Sequence, residues 1–171
     1  MQNSMDNQLP PVSQEYQNWR ELIFSQQPAR PLQGIPDEVY GILMDVGMGN
    51  GRDQYLAISM YVLDTGEASL KASPGSGVVG LGDIKELSGL PQYMLQLGQS
   101  LLSWTVPVKN LDYPEPNRVY FYFLTTSGIK VCKCGLNDLQ NGHPLYEMFF
   151  RFSTIKKFAD KIMDDQRNPP A

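Results

Sequence analysis

The run Val119-Tyr120-Phe121-Tyr122-Phe123-Leu124 is apolar or aromatic at every position. As a strand it has no face suited to water, so it belongs near the centre of a sheet that is covered on both sides. That requirement shapes the rest of the reading. A chain of 171 residues, 42% hydrophobic with nine Tyr and seven Phe, has enough apolar surface for one such core. It is short for two independent ones.

The partners of this strand are read from alternation and turns. Val39 to Met48 is apolar almost throughout, and Tyr55 to Leu63 repeats that character beyond Gly49-Asn50-Gly51-Arg52-Asp53. Glycine and asparagine tolerate positive φ, so the turn predicts an antiparallel hairpin. Leu56, Ile58, Met60 and Val62 fall on one face; Tyr55, Ser59 and Tyr61 fall on the other. In the first strand, Asp45 is expected with Val39, Leu43 and Gly47, opposite Tyr40, Ile42, Met44 and Val46. Asp64-Thr65-Gly66 turns the chain into a short strand from Glu67 to Ala72, and Thr126-Ser127-Gly128 leads into Ile129 to Cys134.

Helical spacing marks three further segments. The first starts at Ser13, a suitable N-cap, and runs to about Gln26 with Tyr16, Trp19 or Arg20, Leu22 and Ile23 inward; Pro28 and Pro31 close it. A short turn around Ile84 and Leu87, capped by Asp83, precedes a helix from Pro91 to Trp104. Its expected buried side is Leu90, Met94, Leu97, Leu101 and Trp104. Gly135 to His143 reads as a polar loop, and a last helix from Pro144 to about Asp164 buries Leu145, Met148, Phe149, Phe152, Ile155, Ala159 and Ile162.

The resulting order, α-β-β-β-α-β-β-α, predicts one α+β domain over residues 13–165 with a largely antiparallel, five-stranded sheet flanked by helices. Residues 1–12 read as a flexible polar leader and 166–171 as a flexible tail. This layout resembles the profilin-like and roadblock-like group. The resemblance implies terminal helices on one face of the sheet and the middle helix on the other. It also implies, by association alone, binding of proteins or small ligands.

A net charge of -4 without a dense Lys/Arg block argues against nucleic acid. No stretch approaches the roughly 18 consecutive apolar residues of a membrane span, and the leader lacks a signal-peptide core, so the expectation is a soluble cytoplasmic protein. Cys132 and Cys134 would share one face of a strand, about 6.5–7 Å apart. That spacing suits two small hydrophobes better than a disulfide, and no second motif completes a metal site.

Catalytic groups are sparse. His143, the single histidine, is expected in the loop before the last helix. Asp45 is expected in a solvated position at a strand end; Asp37, Glu38, Asp53 and Asp64 sit in turns or at strand edges. The segment Gly75-Ser76-Gly77-Val78-Val79-Gly80 has GxGxxG spacing, but it follows a hairpin meander rather than opening a βαβ unit. Gly75, Ser76, Gly77 and Gly80 are nonetheless the candidates for a small anionic ligand. Among the aromatics that would serve as amphipathic anchors, Trp104, Tyr113 and Tyr146 are the candidates for contact with a protein, and Tyr113 in the Asp112–Pro116 loop is expected outside.

The leading reading is a non-enzymatic interaction or regulatory domain, an adaptor or a neutraliser of its partner, without cofactor or metal, and with self-association through a sheet edge as one form of partnership. The alternatives are an anion or small-ligand binder using residues 75–82, and a hydrolase or transferase using carboxylates with His143.

Overall fold

In the computed structural model, residues 12–49 and 55–168 are described. The turn residues Asn50 to Asp53, nearly all of the expected leader and the last three residues of the expected tail lie outside them.

The elements, in chain order, are α1 (Gln14–Phe24), β1 (Val39–Met48), β2 (Leu56–Leu63), β3 (Ala68–Ala72), β4 (Gly77–Val78), α2 (Leu90–Leu101), β5 (Val106–Pro107), β6 (Arg118–Thr125), β7 (Gly128–Gly135), α3 (Leu136–Gln140) and α4 (Tyr146–Arg167). All strands form one antiparallel sheet in the order β4-β3-β2-β1-β6-β7-β5. Among the described residues it has seven strands rather than five. The two extra strands, β4 and β5, are two-residue edges whose glycine and proline content hides them from a pattern search. The two aromatic-rich hairpins meet at the centre, where β1 pairs with β6.

Each face of the sheet has its own core. On one, Ile42, Met44, Met60, Val62, Phe121 and Phe123 pack with Met94, Leu95 and Leu101 of α2 and with Met148, Phe152, Ile155 and Ala159 of α4. On the other, Leu43, Tyr61, Tyr120, Tyr122 and Leu124 pack with Ile23, Trp19 and Phe24 of α1. The terminal helices therefore lie on opposite faces, and the middle helix shares its face with the last. This departs from the arrangement that the profilin-like resemblance implied. Gly98 permits the close seat of α2, because a Cβ there would collide with the Ile42 side chain.

Several local expectations change. The pairing of β1 with β6 shifts register between Val39 and Gly41. The irregularity moves Val39 onto the α2/α4 face and Tyr40 onto the α1 face, as an extra residue in a strand must. Burial along α1 follows Tyr16, Arg20 and Ile23, leaving Leu22 58% exposed. Helix α2 begins at Leu90 and ends at Leu101; the tighter 3₁₀ turn Leu102–Trp104 then carries Trp104 off the buried stripe. Asp83 lies at the end of the 3₁₀ turn Leu81–Asp83, and the N-cap position of the next turn, Lys85–Leu87, is held by Ile84 instead. Part of the expected polar loop is helix α3, entered where Asp138 accepts the Gly135 amide and anchored by buried Leu139. Helix α4 runs through Arg167, into the expected tail. Among the described residues no helix is long and apolar enough to cross a membrane.

Candidate functional site

Asp45 and Arg20, two charged residues on the α1 face, are both buried. Asp45 sits mid-strand opposite Ser59 of β2 and Tyr120 of β6, with no exposure at all. The expected solvated position is thus overturned, because α1 lays Arg20 over it. Arg20 Nε and Nη2 donate to Asp45 Oδ2 at 2.9 and 2.7 Å. Ser59 gives its single proton to Asp45 Oδ1, so the Tyr16 hydroxyl donates to Ser59 Oγ at 2.5 Å. Burial raises the Asp45 carboxyl above its ordinary range, against the pull of Arg20 and Ser59. Burial also raises the Tyr16 hydroxyl, and Asp45 pushes it the same way.

Arg20 has donors to spare, and they fix a loop. Nη1 reaches the Leu111 carbonyl at 2.8 Å and Nη2 the Asp112 carbonyl at 2.7 Å. The Tyr122 hydroxyl also donates to Asp112 O, and the Tyr55 hydroxyl to Pro114 O, each at 2.7 Å. Tyr113 lies over the guanidinium, 4.6 Å from Arg20 Cζ to the ring centre. It is therefore half-buried rather than outside, serving as a lid on the ion pair.

The loop held in this way forms one wall of a cleft of about 530 Å³. Its lining comes from the loop (Lys109, Asn110, Asp112), β5 with its flanks (Trp104, Val106, Val108) and β7 (Val131, Cys132, Lys133). Lys133 pairs with Asp112 at 2.9 Å and lies 4.6 Å above the Tyr120 ring. Burial pushes both thiols up, Cys134 to about 12, with Cys132 adding to its rise. Neither is an activated nucleophile.

Trp104, 56% exposed, stands where this cleft meets the seam between α2 and α4. Its ring lies 6.4 Å from that of His143. Farther along, the Tyr93 hydroxyl donates to Glu147 at 3.2 Å, and Arg151 covers Tyr93 and Phe150 at 5.0 and 5.8 Å. Tyr146 and Phe150, one turn apart on α4, are both exposed. Of the three aromatics selected from sequence, Trp104 and Tyr146 are exposed and Tyr113 is half-buried. Tyr93 and Phe150 are exposed as well.

The glycine-rich candidates take separate roles. The Gly75 amide closes a turn onto the Ala72 carbonyl, and Ser76 O accepts the Ala72 amide. Gly77 belongs to β4, where a Cβ would collide with the Leu70 carbonyl; Gly80 has φ 75° at the entry of the 3₁₀ turn. His143 Nδ1 accepts the Leu145 amide at 3.2 Å, which ties it to the start of α4. Asp64 is buried and accepts the amides of Ala29 and Arg30. Among the described residues no group of three or more His, Cys, Asp or Glu is placed to hold a metal ion. Comparison with protein-family models, curated proteins and solved structures gives no match to this chain.

Proposed function

We propose that this chain is a non-enzymatic interaction domain, an adaptor or a neutraliser of its partner, acting through the surface that joins the α2–α4 seam to the β5–β7 cleft. One observation carries the reading. Trp104, Val106, Tyr146, Phe150 and Tyr93 are all more than two-fifths exposed; Trp104 lies against His143 just before α4, and Tyr93 of α2 and Phe150 of α4 share Arg151. Scattered exposed apolar residues are normal on a folded surface, whereas aromatics gathered beside a cleft mark a place where water is displaced by a partner. Their conformational cost on binding is low, since each has only two side-chain torsions to fix.

Affinity capture from native lysate with the wild type, with Trp104→Ala and with Phe150→Ala tests this reading. The expected result is a bound protein that is lost with either alanine while the thermal midpoint stays unchanged. Capture that is indifferent to both substitutions overturns it.

A further inference from the structure

Resting on that interaction reading, we propose that the β5–β7 cleft takes an extended segment of the partner, added as a short strand to the outer edge of β7 and alternating apolar with acidic side chains. The direction of the β7 backbone comes first. The Ile129 carbonyl accepts the Val108 amide at 3.0 Å, so it points away from β6. Main-chain groups alternate along an antiparallel strand, so those of Val131 and Lys133 point the same way. Strand β5 covers Val131 and Lys130 and extends no farther. The N–H and C=O of Lys133 are left outward, without a strand partner among the described residues. Unpaired edge groups of this kind are a template for an incoming strand.

The cleft supplies room and selectivity. Its volume of about 530 Å³ lies within the range of roughly 300–1,000 Å³ common for ligand sites. Lys133, paired across β6 with Tyr120, presents its side chain on the α1 face beside Asp112. Cys132 belongs to the α2/α4 face, the side on which Trp104 meets His143. An added strand alternates in the same way. The residue beside Lys133 would meet ammonium groups, and its neighbours would meet Trp104 and Cys132. Lys109, Lys133 and Asp112 leave the lining one positive charge in excess, in a chain of net charge -4. Lys109 makes no ion pair among the described residues. A carboxylate therefore fits the polar side and an aliphatic group the apolar side.

The test uses the full chain, ¹⁵N-labelled, and an acetylated, amidated pentapeptide alternating glutamate with valine. The expected result is movement of the Val131 to Lys133 amides and the Trp104 indole, with slower alkylation of Cys132. Lysine in place of glutamate, or N-methylation of the peptide backbone, should abolish these changes. Lys109→Glu, at an exposed site, should weaken binding by about three- to tenfold, the scale of one altered charge contact. Absence of shifts at millimolar peptide, equal binding of the lysine or N-methylated peptide, or shifts centred elsewhere would each overturn the inference. If that happens while Trp104→Ala still abolishes capture of the native partner, strand addition is wrong and the interaction reading stands. If the pentapeptide binds as described while capture ignores Trp104→Ala, the cleft stands and the aromatic seam is not its extension.

Discussion

On one face of the sheet, Ile42, Met44, Phe121 and Phe123 meet α2 and α4 through apolar atoms; on the other, the rings of Phe24, Tyr113 and Tyr122 surround Arg20, and Asp45 lies beside Tyr120. The first face gains stability from area and close packing, which depend little on which apolar residue fills a given volume. The second includes a charge pair whose mutual attraction is offset by the cost of removing both ions from water. What the pair adds is position. Arg20 holds the carbonyls of Leu111 and Asp112, so the wall of the cleft is set by a residue on the far side of the sheet edge.

The sharpest way to break this comparison uses adjacent residues of β1. Asp45→Asn hardly changes volume but leaves the Arg20 cation buried without its counter-charge, and should cost about 3–5 kcal/mol. Met44→Leu, one residue away on the apolar face, should cost less than about 1.5 kcal/mol. Urea denaturation of both variants gives the two values. Equal losses would mean that the faces are not built on different principles.

A smaller effect separates stability from position. Tyr122→Phe removes the hydroxyl that donates to Asp112 O and should cost about 0.5–1.5 kcal/mol overall. Its larger consequence should be local, as faster amide exchange from residues 111–113 while α2 and α4 keep their protection. Uniformly faster exchange would show that the loop has no separate stability to lose.

These contacts also mark where sequence reasoning stopped. Both hairpins were legible because the signals of a strand pair, alternation and a turn, lie in one continuous stretch of chain. Ser13 as an N-cap was legible for the same reason, and its Oγ accepts the Tyr16 amide. The partner of Asp45 was not. Arg20 lies 25 positions away on another element, and nothing in either segment alone distinguishes a buried carboxylate from a solvated one. The cleft was hidden in the same way, its lining being drawn from two separate stretches of chain, Trp104–Asp112 and Val131–Lys133. Helix α3 was more readable, since Leu136 and Leu139 stand at helical spacing with Asp138 between them, but its five residues are too few for a periodic signal.

Thiol chemistry sharpens the contrast at the rim of the apolar face. Cys134, buried and raised to about 12, and Cys132, half-buried and also raised, project from that face of β7. Only the thiolate attacks an alkylating agent. Iodoacetamide at pH 8 should therefore modify Cys132 first, and Cys134 only as the domain unfolds. Mass spectrometry of partly reacted protein gives the order, and early modification of Cys134 would place an opening at the β6–β7 edge.

The smallest effect belongs to an ion pair that water reaches. Asp37, just before β1, pairs with Lys130 of β7 at 2.6 Å. Hydrogen bonds from Lys130 and Ser127 hold its carboxyl below the ordinary value of 3.8. The folded state thus keeps Asp37 ionised at a pH where the unfolded chain has begun to take up a proton. Its contribution is present above the ordinary carboxylate range and is lost as pH falls through the depressed value. Asp37→Asn should leave the urea midpoint at pH 7 only slightly lower and make the decline between pH 5 and pH 3 shallower. Parallel acid limbs for wild type and Asp37→Asn would show that the exposed pair adds nothing to folding.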